Sequence, residues 1–265
     1  MNYLFWNIKG EKVNRIIETI IINYECDIIA FAEYKDDMNV LLKSLSEKGY
    51  LFYHVPKMGC ERIDIITKFT PSKIETYNET SYFTIKKIPH NSIGFQLIAF
   101  VHFPSKLYMG VEGSLEHSRE LIASIEESET ASSFNNTIIV GDFNMNPFEV
   151  GMVSATGIHS IPNKIISSNI NRKIKGKTYS MFYNPMWNFF GDNKLIPGTY
   201  FYDNSDYVNY YWHIFDQVII RPTLIKHFCD KSIKIISTIE DINLLSNGRP
   251  KKEISDHLPI FFKII

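Results

Sequence analysis

An α/β fold (α+β in its segregation of elements), with two packed mixed sheets flanked by helices, is predicted for this chain from three observations. Apolar runs alternate with amphipathic stretches at the start of the chain. A block of consecutive β-prone runs follows between Leu51 and Val101, and further strand-like runs, each preceded by polar residues, reach the end of the chain. No internal repeat, low-complexity tract or Pro/Ser-rich linker interrupts this order, so residues 1–265 read as a single domain. A globular unit of this size buries about three-quarters of its unfolded surface.

The elements follow in order. Tyr3 to Trp6 is a short apolar run, and after Gly10 the residues Val13, Ile16, Ile17, Ile20 and Ile21 recur at helical spacing. Asp27 to Phe31 is a second apolar run that ends at Glu33, and Val40 to Leu45 is helical until Gly49 stops it. The pattern is therefore β-α-β-α. Leu51 to Val55, Ile63 to Thr67, Lys73 to Tyr77, Tyr82 to Ile88 and Ile93 to Val101 are punctuated by Pro56, Gly59, Pro71 and Pro89, which predicts consecutive, mostly antiparallel strands. Leu115 to Ile125 returns to a helical period. Thr137 to Val140 is a buried-type strand that runs into Gly141-Asp142, and Thr199 to Tyr202, Ile214 to Ile220, Ser232 to Ser237 and Pro259 to Ile264 are the remaining strands.

Composition narrows the function classes. With 28 Lys and Arg against 29 Asp and Glu the net charge is −1, so the whole molecule sets up no strong field for a polyanion and nucleic-acid affinity has to come from a local patch. Cys26, Cys60 and Cys229 form no CxxC pair, which argues against a disulfide framework or a cysteine zinc site and fits a reducing compartment. The first residues have no signal-peptide pattern, and no apolar run approaches the roughly 18 residues of a membrane span. A cytoplasmic protein with no membrane association is expected.

Chemistry-bearing residues cluster where strands end, the place at which a rigid element aims a side chain into a loop. Asn7 follows the first strand, Glu33 the second, His102 the run from Ile93, and Asp142 and Asn144 the strand from Thr137; Asp256-His257 precede the last strand. Hard oxygen donors such as Glu33, Asn7 and Asp256 suit Mg²⁺, which takes one or two protein carboxylates and keeps water and phosphate oxygens for its other positions. Taken singly each residue has a bland reading: Glu33 a solvated loop residue, His102 a core histidine, Asp142 and Asn144 an Asx turn. The case rests on the set.

The set is specific in its order. Trp6-Asn7-Ile8, Ala32-Glu33, Val101-His102, Gly141-Asp142-Phe143-Asn144, Phe215-Asp216-Gln217 and Ser255-Asp256-His257-Leu258-Pro259 resemble, in order and rough spacing, the motifs of the endonuclease/exonuclease/phosphatase superfamily, which includes DNase I-like nucleases. The resemblance implies a four-layer α/β/β/α sandwich and a Mg²⁺ or Mn²⁺ ion held chiefly by Glu33, with Asn7 and Asp256 close by. It implies that Asp142 orients or deprotonates the attacking water, that Asn144 contacts the scissile phosphate or that water, and that His257, oriented by Asp216, stabilises the pentacovalent phosphate. His102 falls where DNase I-like members carry a second histidine, a proton donor to the leaving oxygen. The sequence departs from many apurinic endonucleases two positions after Asn7, where Lys9 replaces an acidic residue, and the glutamate that partners the first histidine in some DNase I-like enzymes is not identified.

The function implied is a metal-dependent phosphodiesterase, a nuclease on DNA or RNA. The alternatives within the superfamily are a phosphatase or phosphodiesterase on a small or lipid phosphate, and outside it a catalytically silent binding or scaffold module. Residues 163 to 177 carry Lys164, Arg172, Lys173, Lys175 and Lys177 with no acid, a solvated loop by default, with Lys173, Lys175 and Lys177 the candidate contacts to a phosphate backbone. Residues 179 to 215 hold 14 of the 37 aromatics, mostly core by expectation, with Phe182, Tyr183, Trp187, Phe189, Tyr200 and Tyr202 the candidates for a base-stacking wall. His54, His90, His117, His159, His213 and His227 are read as non-catalytic.

Overall fold

The computed structural model describes residues 1–105, 110–191, 196–205 and 207–265. Its first half opens with β1 (Asn2–Asn7), α1 (Asn14–Asn23), β2 (Ile28–Ala32) and α2 (Met38–Glu47). Asp37 caps α2 by accepting hydrogen bonds from the backbone N–H groups of Asn39 and Val40. The block after it resolves into β3 (Tyr53–His54), β4 (Ile63–Thr67), β5 (Glu75–Glu79), β6 (Phe83–His90) and β7 (Gly94–His102). Then come α3 (Val111–Ser132), β8 (Thr137–Asp142), α4 (Val150–Val153), β9 (Ser160–Ile161) and α5 (Lys164–Ser167). The hairpin β10 (Asn171–Ile174) and β11 (Lys177–Ser180), β12 (Phe182–Tyr183), the hairpin β13 (Tyr200–Phe201) and β14 (Trp212–His213), and β15 (Asp216–Ile220) follow. The chain closes through β16 (Lys234–Ile235), β17 (Thr238–Ile239), β18 (Ile242–Asn243), β19 (Leu245–Ser246), β20 (Arg249–Pro250) and β21 (Ile260–Lys263).

Two sheets carry the architecture. One has six strands in the order β16-β21-β1-β2-β4-β3, the other seven in the order β5-β6-β7-β8-β15-β12-β9. The strands between Leu51 and Val101 pair antiparallel with one another, as expected, but they divide between the sheets: β4 pairs with β2 and β3 with β4, while β5 to β7 form a meander in the other. Period-two alternation explains how the sheets stack. In β8 and β15, Ile138, Val140, Val218 and Ile220 join the apolar core that includes Leu4, Phe5 and Ile29 of the first sheet, whereas Ile139 and Ile219 join a second core with Leu121 and Ile125 of α3. Ile17, Ile20 and Leu41 of α1 and α2 belong to the larger core. The result is the helix, sheet, sheet, helix sandwich. Among the described residues, no helix is long and apolar enough to cross a membrane.

Each sheet contains a parallel pair at its centre, β1 with β2 and β7 with β8, bridged by a helix in the manner of a βαβ unit; the short strands β9 and β12 form a further parallel pair in the second sheet. Parallel neighbours end on the same side. In register, Asn7 lies opposite Ala32, and His102 lies opposite Asp142, which also faces Asp216 at the start of antiparallel β15. The sheet topology thus brings the polar ends of five strands to one edge.

The basic stretch is more ordered than a solvated loop. It contains the single turn of α5 and the exposed β10–β11 hairpin, closed by Lys175 and Gly176 with φ of 46° and 84°, the left-handed pair required by a two-residue turn. Of the candidates for a base-stacking wall, Phe182, Tyr183 and Phe189 are instead buried in the apolar cores, where neighbouring side chains cover their faces, while Tyr202 is exposed, as are Tyr210 and Tyr211.

Candidate active site

Position in this site begins with backbone geometry. Lys9, Glu33 and Asn144 are non-glycine residues with φ of 58°, 55° and 50°, a conformation that costs about 1 kcal/mol or more each and tends to persist where it aims a functional side chain. Gly141 serves a different need: a Cβ there would stand 2.0 Å from the carbonyl oxygen of Val101, so only glycine lets β8 approach β7 closely enough to set Asp142 beside His102.

The side chains of Asn7, Glu33, His102, Asp142, Asn144, Asp256 and His257 line one cleft of about 1220 Å³. Asp142 is buried and held from three directions. Asn7 Nδ2 donates to its Oδ2 at 2.9 Å, the Asn144 backbone N–H donates to its Oδ1 at 2.8 Å, and Asn144 Nδ2 reaches Oδ2 at 3.4 Å while donating to the Phe103 carbonyl at 2.9 Å. Asn7 Nδ2 also lies 3.5 Å from Glu33 Oε1, so it presents its amide nitrogen to both carboxylates and ties them together. Its Oδ1 accepts the Lys9 backbone N–H at 3.1 Å.

Two imidazoles face these carboxylates. His257 Nδ1 lies 2.7 Å from Asp216 Oδ2, and its Nε2 points at Asp142 Oδ2 from 3.9 Å. Burial works against a charged imidazole, yet the carboxylates of Asp216 and Asp142 outweigh it and hold the His257 pKa above its ordinary value. Asp216 is wholly buried, and that desolvation raises its own pKa. Asp216 does not line the cleft; it stands behind His257 and fixes the ring so that Nε2 faces the cleft. His102 Nε2 sits 3.5 Å from Glu33 Oε1 and 4.0 Å from Asp142 Oδ2, and the imidazole pulls the Glu33 carboxyl down to about 2. The Nδ1 of His102 is buried without a hydrogen-bond partner among the described residues.

The loop bearing Asp256 and His257 is pinned to the first strand. Trp6 Nε1 donates to the His257 carbonyl at 2.9 Å, Ser255 Oγ donates to the Asn7 carbonyl at 2.7 Å, and Ser255 Oγ accepts the His257 backbone N–H at 3.0 Å. Asp256 is not a bare carboxylate, because Lys9 Nζ pairs with it at 3.0 Å.

The donors in the cleft fit a hard divalent cation. Glu33 is ionised at any ordinary pH, its side chain is 42% exposed at the cleft, and only oxygen and nitrogen donors surround it. A second grouping, Asp142, Asp216 and His257, has one ligand atom from each within 4.8 Å of the others. An ion there would have to break the 2.7 Å hydrogen bond between His257 and Asp216, so the Glu33 side of the cleft suits a cation better.

Lys173, Lys175 and Lys177 are not brought to the cleft; they lie on the β10–β11 hairpin and do not line it. Other residues enter that sequence reading did not place there. Glu61 and Arg62, just before or at the start of β4, line the cleft, and so does His213, whose Nδ1 lies 2.9 Å from Asn146 Nδ2. The signal for Glu61 and Arg62 was their place at the start of a strand antiparallel to β2, with Ile63 opposite Ala32.

No protein-family model and no curated protein sequence matches the chain. Solved structures do. The human Nocturnin catalytic domain with bound sulfate superposes with a TM-score of 0.57 at 15% identity, covering 100% of this chain and 94% of that one. An AP endonuclease from Archaeoglobus fulgidus gives 0.57 at 12% identity, covering 100% and 99%. D. rerio TDP2 complexed with single strand DNA product gives 0.54 at 16% identity, covering 100% and 98%. The chain has the fold of the endonuclease/exonuclease/phosphatase superfamily.

Proposed function

We propose that this protein is a divalent-metal-dependent phosphodiesterase that hydrolyses nucleic acid. The observation that carries this reading is the arrangement around Asp142: a buried carboxylate fixed by Asn7 and Asn144, faced by His257 from 3.9 Å and His102 from 4.0 Å, in one open cleft with Glu33. The AP endonuclease and the DNA-bound TDP2 among the similar folds support a polynucleotide over a small phosphate ester.

Hydrolysis of a phosphodiester needs a nucleophilic water, relief of charge on the phosphoryl oxygens and a proton for the leaving oxygen. Asp142 Oδ2 takes the proton of the attacking water, its orientation fixed by the amide hydrogens of Asn7 and Asn144. His257, held as an imidazolium by Asp216, directs Nε2 at the charge that grows on phosphorus-bound oxygen. His102, on the Glu33 side of Asp142, delivers a proton to the departing oxygen as the P–O bond breaks. A Mg²⁺ or Mn²⁺ ion held by Glu33, with Asp256 nearby, supplies Lewis-acid polarisation of the phosphoryl group when bound.

Incubation of the wild type and Asp142→Ala with Mg²⁺ or Mn²⁺ and a panel of plasmid DNA, single-stranded DNA, RNA, nucleotides and inositol phosphates tests the proposal. Cleavage of a polynucleotide by the wild type alone is expected. Phosphate release from small monoesters with every polynucleotide intact would reject it.

A further inference from the structure

From the wall of this cleft we infer that its substrate presents unpaired bases, so that a single strand, or a strand splayed out of a duplex, is bound in preference to base-paired nucleic acid. This deepens the nuclease reading above and rests on it. The residues that carry it belong to the β13–β14 hairpin, outside both main sheets. Tyr200 stacks on Phe215 at 5.2 Å and 23°, and packs against His257 with ring centroids 4.7 Å apart and planes tilted by 44°. Tyr202 continues the ladder outward, 6.4 Å from Tyr200 and only 18° from parallel, and is 47% exposed. Tyr210, 56% exposed, lines the same wall with its ring edge against His213.

Phe215, Tyr200 and Tyr202 therefore form a row of near-parallel rings that leads from beside His257 to solvent. The ladder is built rather than incidental: the Tyr202 backbone N–H donates to the Tyr211 carbonyl at 2.8 Å, and an isolated β-bridge joins Tyr200 to His257 itself. Lys35 and Arg62, with Glu61 beside Arg62 and Lys9 paired to Asp256, line the same cleft, so cationic groups for a phosphate backbone share it with the rings that would receive bases. Rings exposed in this way gain most by receiving the flat face of a base. In a duplex both faces of every internal base are already covered by its neighbours, and a ring wall reaches a base only after unstacking. The wall would discriminate through the base faces, with no need for any sequence-reading contact.

Binding can be measured apart from catalysis by using Asp142→Asn protein with Mg²⁺ and following fluorescence anisotropy of a short labelled single strand. Its duplex, and the same strand carrying abasic sites at its centre, are the comparisons. The single strand should bind about tenfold or more tighter than either, and Tyr202→Ala combined with Tyr210→Ala should remove about 5- to 100-fold of affinity for it, the range expected for losing one stacked base. Tyr202→Phe with Tyr210→Phe should restore the preference, since a phenyl ring stacks as well. Equal or tighter binding of the duplex or the abasic strand, or an undiminished preference in the alanine variant, would overturn the inference. Hydrolysis of bis-p-nitrophenyl phosphate by the wild type is followed in parallel. Diester hydrolysis without a single-strand preference sinks the base wall alone, and a single-strand preference without hydrolysis of any diester sinks the catalytic reading alone.

Discussion

His257 Nδ1 and Asp216 Oδ2 lie 2.7 Å apart in a position closed to solvent, one residue facing the cleft and the other standing behind it. The charge of Asp216 keeps the imidazole protonated, and the shape of the pair keeps Nε2 aimed at the substrate. Asp216→Asn preserves the shape and removes the charge. Turnover should fall by about 10²-fold. Because the carboxylate raises the His257 pKa, its loss lowers that pKa, and the alkaline decline in rate should begin at lower pH than in the wild type. Superimposable pH–rate profiles for the two proteins would exclude this role.

On the proposed mechanism Asp142 takes the proton of the attacking water and His257 faces the charge that grows on the phosphate, so Asp142→Ala and His257→Ala should each lower turnover by at least about 10²-fold. Circular dichroism should show the wild-type fold in both. Full activity in either variant would take that residue out of the mechanism.

Glu33→Gln keeps the size of the side chain but not the charge, so a metal titration of activity should shift to higher Mg²⁺ concentration. The same titration on Asn7→Ala separates two roles. If Asn7 ties the carboxylates together through Nδ2, its loss leaves the buried Asp142 with one donor fewer, lowering stability by about 1–3 kcal/mol as well as turnover. An unshifted metal titration for Glu33→Gln, or unchanged urea unfolding for Asn7→Ala, would contradict the respective assignments.

Gly141→Ala places a methyl group against the Val101 carbonyl, which cannot move without parting β7 from β8. Urea unfolding should register a loss of about 3 kcal/mol or more. A variant as stable as the wild type would mean that the strands have more slack than the 2.0 Å approach allows.

His90 gives the protein an acid-sensitive point far from the chemistry. Its buried Nδ1 accepts the backbone N–H groups of Ser92 at 3.1 Å and Ile93 at 3.4 Å, and burial lowers its pKa to about 4. A folded-state pKa below the unfolded value contributes stability that is complete above about pH 6.5 and is lost as pH falls towards 4. The contribution is on the order of 2 kcal/mol. His90→Asn retains an acceptor that does not titrate, so its unfolding free energy should fall less between pH 7 and pH 4 than that of the wild type. Parallel stability curves would refute the claim.

The sandwich was legible because its strands are long apolar runs and its helices amphipathic, and the alternation in β8 and β15 assigns their two faces to two cores. The site was legible for the same reason: each motif stands where an apolar run stops. What escaped lies in segments with neither period. The β10–β11 hairpin is exposed on both faces, so no apolar alternation marks it, and Gly176 was its only turn signal. Tyr200 and Tyr202 are among the rings that the sequence offers for a wall, but Phe182, Tyr183 and Phe189, chemically the same, lie in the core, and only the pairing of β13 with β14 beside His257 shows which rings face outward, Tyr210 among them. Sequence spacing likewise could not show Lys9 pairing with Asp256.

Trp6 and Asn7 grip Ser255 and His257 directly, while β21 supplies the neighbouring strand of β1. The segment from Ser255 to His257 is thus held against the strand that carries Asn7. The cleft is complete only when the segment around His257 docks against β1, a closure that spans 251 residues between Trp6 and His257.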